Sequence, residues 1–387
     1  MANSKNHARF AALDGWRGVC ALLVAVHNFQ DFQPRLYDLS FVSHSSIFVD
    51  FFFVLSGFVI THASLRQLEK CSVASFMLRR FGRLWPLHVT VLAAFVGRKV
   101  LQLIISGLFQ LPADITPSNS ADSLGSIITN VLLIQIFDKD NALSWNGPSW
   151  SISAEFWTYL VYSGIFFFSL KRPPSVFLMG SVAVLAGGVV ALLSDSFLES
   201  NTDYVMFRCI YGFFVGHVAY RMQEGNISRF RLGSLLEIFL VIFVFAFVCA
   251  AGPNLLSMAA PFVFAFAVWV FAEENGLVSK VLVSQPLAYL GAWSYSIYMV
   301  HRFVGGTVYL IDKLVVAYAR KQSPWLLGLL GEGPFSAAWA ADLELAIYLV
   351  LVIAISAITY WAVEQPGRRI FNHMSERVCH PHTDAGE

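Results

Sequence analysis

Residues 47–64 read IFVDFFFVLSGFVITHAS, an apolar run with one acidic residue, Asp50. In a helix with a rise of 1.5 Å per residue, this run is about 27 Å long, close to the ~30 Å hydrocarbon core of a bilayer. A surface helix of a soluble protein needs a polar face, and this run has none. The stretch therefore predicts a helix that crosses a membrane.

Apolar runs of similar length recur along most of the chain. We predict ten spans, at residues 13–29, 47–64, 84–105, 149–170, 174–193, 204–220, 232–251, 255–272, 287–311 and 343–363. Residues 124–137 form a shorter apolar run, which we predict to be re-entrant or interfacial because it cannot cross the bilayer. The predicted fold is all-α, a polytopic transmembrane helical bundle with about ten spans.

The composition excludes two broad classes of protein. Hydrophobic residues make up 57% of the chain and charged residues 13%, whereas roughly a quarter of a soluble domain is charged. A net charge of +1 argues against nucleic-acid binding, which needs a strong basic excess. The five cysteines are widely spaced and predict neither a disulfide framework nor a metal site.

The distribution of Lys and Arg predicts the orientation of the bundle. With the N-terminus in the cytosol, 17 of the 26 basic residues fall on the cytosolic side, as the positive-inside rule requires. Both termini are therefore expected in the cytosol. We divide the chain into a cytosolic segment at 1–12, a membrane domain at 13–363 and a short cytosolic tail at 364–387.

Four titratable residues are predicted to share one depth, in the outer half of the membrane. They are His27, Asp50, Glu155 and His301, each placed by its distance from the start of its span. Charged groups at such depths are costly, so they are expected to be paired or functional. Their common depth predicts that they meet.

Two spans also carry polar stripes at helical spacing, which predicts a cavity between them. The stripe in the fourth span comprises Ser151, Glu155, Thr158, Tyr159 and Tyr162. The stripe in the ninth comprises Ser294, Tyr298, His301, Arg302 and Gly305.

A cationic patch lies between the second and third spans on the predicted cytosolic side. It consists of Arg66, Lys70, Arg79, Arg80 and Arg83. Arginine forks bind phosphates well, but a loop that stays cytosolic would carry such charges for topology alone. Both interpretations stay open at this point.

These residues together predict group transfer across the membrane. His27 can act as a general base, oriented by a carboxylate from Asp50, Glu155 or Asp31. A phosphate-bearing thioester would bind the patch and reach an acceptor hydroxyl held among the serines and tyrosines. Taken singly, each residue could be merely structural, and the alternative for the whole chain is a transporter of a glycan or small polar solute.

Six segments resemble signatures of the acyltransferase 3 family of integral membrane acyltransferases. They are LDGWRGVCALLVAVHN (13–28), FVDFFFVLSGFVIT (48–61), FMLRRFGRLWPLH (76–88), NGPSWSISAEFWTYL (146–160), YLGAWSYSIYMVHRFV (289–304) and AVEQPGRR (362–369). They occur in the family's order over nearly the whole chain. The family is known mostly for acylating exported and surface carbohydrates.

The resemblance implies roles for particular residues. His27 would be the base or transient acyl acceptor, with Arg17 as a required partner and Glu155 as an assistant. Arg80 and Arg83, with Arg79 beside them, would bind the donor, acetyl-CoA or another acyl-CoA. The expected acceptor cavity comprises Ser151, Tyr159, Tyr298 and His301.

The resemblance also implies the setting of the reaction. The acceptor would be a carbohydrate or glycan hydroxyl, and the other partner would be the lipid bilayer. No tightly bound cofactor and no metal are expected. The expected location is the inner membrane of a bacterium, and the sequence predicts no particular oligomeric state.

Overall fold

A computed structural model describes residues 10–29, 34–68, 72–109, 121–138, 142–169, 174–224, 233–322 and 338–379. Most residues in these ranges are helical, and the ranges contain no strand. The predicted all-α fold is confirmed. Asp31 and Lys70 lie outside the described residues, as does the side chain of Arg66.

The α-helices are numbered in chain order. They are α1 (Ala11–His27), α2 (Ser40–Ser43), α3 (Phe48–Leu68), α4 (Val73–Phe109), α5 (Leu124–Val131), α6 (Trp150–Phe168), α7 (Val176–Leu193), α8 (Val205–Glu224), α9 (Gly233–Ala250), α10 (Ala260–Phe271), α11 (Leu277–Leu282), α12 (Gln285–Gln322), α13 (Ala338–Thr359) and α14 (Gln365–Cys379). A π-helical turn, Tyr360–Glu364, joins α13 to α14.

Each of the ten predicted spans overlaps one of these helices. Five helical segments are long and apolar enough to cross a membrane by length and composition, at Ser45–Ala63, Val73–Gly107, Val176–Leu193, Gly233–Ala250 and Ala341–Cys379. The predicted span at 255–272 is divided into a 3₁₀ turn, Leu255–Ala259, and the twelve-residue α10. The exact number of spans stays a prediction.

The run at 124–137 forms only short elements. Helix α5 has eight residues, which is about 12 Å of helix, and a 3₁₀ turn at Gln135–Phe137 follows it. Such a segment is too short to cross a bilayer, as predicted.

Large apolar side chains cover the outside of the bundle. Phe168, Phe177, Leu192 and Leu235 are each at least 79% exposed. Soluble proteins rarely present such contiguous apolar surface to water, because exposing it costs about 25 cal/mol per Å². These side chains face lipid, and the protein is an integral membrane protein.

Glycines let two central helix pairs approach closely. A Cβ atom added to Gly18 of α1 would lie 2.7 Å from the backbone nitrogen of Gly291 in α12. One added to Gly216 of α8 would lie 2.0 Å from the carbonyl oxygen of Val54 in α3. Small residues at such crossings give membrane helices close van der Waals contact. The contacts set the positions of α1, α3 and α12, which line the cavity described below.

One cysteine differs from expectation. Cys20, Cys209 and Cys249 are free thiols, whereas Cys379 at the end of α14 is disulfide-bonded. The cysteine spacing had indicated no such bond.

Candidate active site

A cavity of about 190 Å³ lies between α1, α3, α4, α6 and α12. Its wall is mostly apolar and includes Leu13, Phe52, Val59, Leu84 and Ile152. The polar side chains of the wall come from every one of the five helices. They are Asp14, Arg17, Ser56, His62, Arg80, Arg83, Ser151, Glu155, Tyr159, Ser294, Tyr295 and Tyr298.

Three guanidinium groups form a cationic part of the wall. Arg80 and Arg83 lie three residues apart on α4, so both face the same side, and Arg17 joins them from α1. The Arg80 guanidinium lies 5.3 Å from the ring centroid of Phe76 and 6.0 Å from that of Tyr159. Its Nε is buried and makes no hydrogen bond to the described residues. An anionic ligand would satisfy this group.

Glu155 lies in the same wall and is held by two hydroxyl groups. Ser56 of α3 and Tyr159 of α6 both donate hydrogen bonds to its Oε1 atom. Ser56 was not among the predicted site residues, although a serine in the middle of the apolar run at 47–64 was a possible signal. Tyr159 follows Glu155 by one helical turn, so the two share a face. The carboxylate is thus fixed in direction within the cavity.

A hydrogen bond between α6 and α12 marks another part of the wall. Ser151 Oγ and Tyr298 Oη are 2.7 Å apart, so one donates to the other, and the carbonyl oxygen of Pro148 lies 3.1 Å from Ser151 Oγ and 2.9 Å from Tyr298 Oη as a further acceptor. Ser294 on α12 lies in the same wall with a buried Oγ that makes no hydrogen bond to the described residues. Of the two predicted stripes, Ser151, Glu155, Tyr159, Ser294 and Tyr298 therefore line this cavity.

His27 lies at the end of α1, outside this cavity wall. It is ten residues beyond Arg17, about 15 Å along the helix. Its Nδ1 lies 3.4 Å from the carbonyl oxygen of Val42, and its ring centroid lies 6.0 Å from that of Tyr37.

His301 packs against the cavity wall next to Tyr298. Its ring centroid is 5.7 Å from that of Tyr298. The side chain is fully buried, and neither ring nitrogen makes a hydrogen bond to the described residues. Buried polar groups of this kind are rare because an unmade hydrogen bond costs about 1–3 kcal/mol.

Two residues from the C-terminal helices hold the end of α1 that carries His27. Tyr348 donates a 3.0 Å hydrogen bond to the carbonyl oxygen of Ala25 and stacks on Phe29 with ring centroids 4.4 Å apart. Arg302 donates a 3.3 Å hydrogen bond to the carbonyl oxygen of Asn28. These last carbonyls of a helix have no partner within the helix itself.

Asp50 faces away from the cavity. Arg208 of α8 donates to its two carboxylate oxygens at 3.0 and 2.8 Å and also to the carbonyl oxygen of Ser200. The guanidinium carbon lies 5.3 Å from the ring centroid of Trp150. Of the four titratable residues predicted at one depth, Glu155 alone is in the cavity wall. Equal depth did not bring them together because Asp50 points to α8 while its neighbour Val49 points to the cavity.

Arg79 also lies outside the cavity wall. Its Nε donates a 2.8 Å hydrogen bond to Ser375 Oγ of α14. Successive residues of a helix differ by about 100° in direction, so Arg79 and Arg80 cannot share a face. The predicted donor-binding arginines are thus divided between the cavity and the contact with α14.

The chain matches the sequence model of a known protein family. The sequence model of the acyltransferase 3 family, described as an acyltransferase domain, matches residues 10–361. The chain belongs to the acyltransferase 3 family. It is therefore a membrane-embedded acyltransferase, and the alternative of a transporter has no support from the match.

Relatives in this family extend the comparison. The chain is 26% identical to the acyltransferase MdmB of Streptomyces mycarofaciens, over 94% of this chain and 92% of the relative. It is 25% identical to the peptidoglycan O-acetyltransferase OatA of Listeria monocytogenes, over 75% of this chain. The chain spans about half the length of that relative, 48%. No solved structure matches significantly.

Proposed function

We propose that this acyltransferase moves an acetyl or similar acyl group from acyl-CoA to a hydroxyl group of a carbohydrate or glycan. One observation carries the proposal: a single cavity holds the guanidinium groups of Arg17, Arg80 and Arg83 together with the carboxylate of Glu155. An anion-binding cluster beside a fixed carboxylate suits a donor that has phosphates at one end and a reactive thioester at the other.

The cavity wall suits such a donor in two further respects. Its apolar side chains can pack against a long acyl-thioester arm, as ligand pockets generally do. The buried Arg80 Nε and Ser294 Oγ need polar partners, which the phosphates and amides of acyl-CoA can supply. Acyl-CoA acts here as a substrate, and we propose no tightly bound cofactor.

His27 is the proposed general base. It accepts the proton of the acceptor hydroxyl as that oxygen attacks the thioester carbonyl. The carbon–sulfur bond then breaks, the CoA thiolate leaves, and the proton returns from the imidazolium to the thiolate. In the alternative order, His27 Nε2 attacks the thioester carbonyl, the carbon–sulfur bond breaks and the CoA thiolate leaves; the acceptor oxygen then takes the acyl group from Nε2, and its proton passes to the thiolate. Glu155 assists by its negative charge and fixed direction, and Tyr298 and His301 lie along the route from the cavity to His27.

The proposed acceptor rests on the relatives. One of them is named for O-acetylation of peptidoglycan, a glycan polymer. In this proposal the acceptor hydroxyl lies near His27, and the donor phosphates lie near Arg17, farther back along α1. The acyl group must therefore move along α1. This arrangement fits a protein of the bacterial inner membrane with both termini in the cytosol. Asp50 is proposed to act on the site only through its ion pair with Arg208, which joins α3 to α8.

The decisive experiment measures acyl transfer in membrane vesicles that contain the protein. Vesicles are given acetyl-CoA with a labelled acetyl group, and release of free CoA and labelled glycan are measured. The Arg83→Gln variant should need a higher acetyl-CoA concentration, whereas the exposed Arg377→Gln should behave as wild type. Equal donor dependence in the wild type and Arg83→Gln would contradict the donor site.

A further inference from the structure

An irregular turn with a proline shortly after it joins α13 to α14. Residues Tyr360–Glu364 form a π-helical turn, and Pro366 follows two residues later. Proline has no N–H group, so the carbonyl of Ala362 cannot receive the usual α-helical hydrogen bond from it. A π turn accommodates this break, and such turns occur frequently at functional sites. It also changes which side chains of the following helix face inward.

Close packing brings this turn against the arginine-bearing part of α4. A Cβ atom on Gly367 would lie 2.6 Å from Pro86 Cγ, and one on Gly82 would lie 2.2 Å from Phe371 Cβ. The rings of Phe81 and Phe371 are also in contact, with centroids 5.4 Å apart. The two helices are therefore locked together on either side of Arg83.

Glu364, the last residue of the π turn, is buried at this contact. Only 3% of it is exposed. Ser296 Oγ of α12 donates a 2.9 Å hydrogen bond to its Oε2, and Arg368 Nη1 lies 3.7 Å from its Oε1. A buried carboxylate needs such partners, since an unpaired buried charge is strongly disfavoured.

Among the described residues, Arg368 is the cation within 4 Å of the Glu364 carboxylate, and Arg83 and Arg17 of the cavity wall lie farther away but are also attracted to it. Arg83 itself lies between the two close contacts that α14 makes with α4, at Gly82 and at Pro86. The negative charge of Glu364 therefore lies near three guanidinium groups that repel one another, and it offsets part of that repulsion.

We propose that Glu364 is a positioning residue for the acyl donor. It holds Arg83, through charge and through the π turn packed on α4, in the orientation that receives the donor phosphate. Ser296 fixes the carboxylate, and Arg368 shares it. This inference rests on the proposed donor site at Arg80 and Arg83.

The test compares Glu364→Gln with Glu376→Gln, which changes an exposed carboxylate on α14. The first substitution keeps the size of the side chain but removes its charge. We expect the KM for acetyl-CoA to rise about tenfold, with kcat and the KM for the acceptor nearly unchanged. Glu376→Gln should leave all three values as in the wild type. If Glu364 acted only as a negative charge near an anionic donor, its loss would instead lower the KM for acetyl-CoA, and that result would overturn the proposal.

Two further variants separate the possible failures. Ser296→Ala removes only the hydrogen bond to Glu364 and should raise the donor KM in the same direction, by a smaller factor. If Glu364→Gln does not accumulate in membranes, Ser296→Ala is the variant that tests the proposal. An unchanged KM for acetyl-CoA in Ser296→Ala would then refute it. If Arg83→Gln raises the donor KM while the Glu364 and Ser296 variants do not, the positioning role is wrong and the donor site stands. If Arg83→Gln has no effect either, the donor site itself is wrong.

Discussion

Asp50 and Arg208 form a bidentate ion pair in the interior of the bundle, with N–O distances of 3.0 and 2.8 Å. Asp50 is 0% exposed and Arg208 is 2% exposed. Among the described residues, the side-chain nitrogen atoms that contact the Asp50 carboxylate belong to Arg208. The ion pair therefore holds α3 against α8.

Asp50→Asn should destabilise the protein rather than act on the reaction directly. The change leaves the Arg208 cation buried without its counter-charge, which costs about 3–5 kcal/mol. We expect a lower melting temperature in detergent, while Asp195→Asn, an exposed control, should melt as the wild type. The double variant Asp50→Leu with Arg208→Met, which replaces the ion pair by apolar side chains, should recover part of the loss. Full stability with abolished transfer in Asp50→Asn would instead favour a catalytic carboxylate.

His27→Ala should insert and fold normally but lose transfer. Removal of a general base lowers the rate by about 10²–10⁴-fold, so labelled glycan should fall by at least ~100-fold. His373→Ala changes an exposed histidine of α14 and serves as the control. Retained transfer in His27→Ala vesicles would remove the proposed base.

Ser56→Ala should lower the rate less than Glu155→Gln does. The variant leaves Tyr159 as the donor to Glu155 Oε1, and one hydrogen bond to a charged group is worth about 1.5–3 kcal/mol. We expect kcat to fall by roughly tenfold or more, with the donor KM little changed. Ser40→Ala alters an exposed serine and should have no effect. A Glu155→Gln variant that keeps wild-type kcat would contradict both expectations.

Tyr298→Phe should affect binding of the acceptor but not binding of the acyl donor. The variant keeps the aromatic ring but loses the hydrogen bonds to Ser151 and Pro148, at about 1 kcal/mol of stability each. We expect a changed KM for the acceptor and an unchanged KM for acetyl-CoA, measured in the same vesicles. Tyr289→Phe, on the exposed side of α12, is the matched control. A change in the donor KM alone would move Tyr298 from the acceptor route to the donor site.

Arg79→Gln and Arg80→Gln should behave differently although the residues are adjacent. Arg79 bonds Ser375 on α14, so its loss should lower thermal stability. Arg80 lies in the cavity wall, so its loss should raise the donor KM at similar stability. The melting temperature and donor titration of each variant distinguish the two outcomes. If both variants have the same melting temperature and the same KM for acetyl-CoA, the two arginines do not have the separate roles proposed here.

Local patterns in the sequence predicted much of the fold. The length and apolarity of runs such as 47–64 and 174–193 identify membrane helices, because every backbone group must be satisfied within a helix in lipid. The spacing of Ser151, Glu155 and Tyr159 on α6, and of Ser294 and Tyr298 on α12, correctly indicated two polar faces that line one cavity. These inferences succeed because a helix relates neighbouring residues by a fixed rotation and rise.

The partners of individual side chains could not be predicted in the same way. Depth along a helix placed Asp50 level with His27, but it could not show that Asp50 turns toward Arg208 of α8. It also could not show that the π turn with Glu364 would pack near the segment of α4 that carries Arg83, because that packing depends on the close approaches of Gly82 to Phe371 and of Gly367 to Pro86.

The sequence by itself determined that this is an all-helical membrane acyltransferase with a cationic patch and with polar side chains on two helix faces that line a cavity. Only the tertiary structure decided which arginines line that cavity, that Asp50 is paired with Arg208, and that Tyr298 lines the cavity wall whereas His27 lies outside it. The physical reason is that a helix's own geometry fixes which of its residues share a face, whereas the neighbour opposite that face is chosen by packing among helices far apart in the chain.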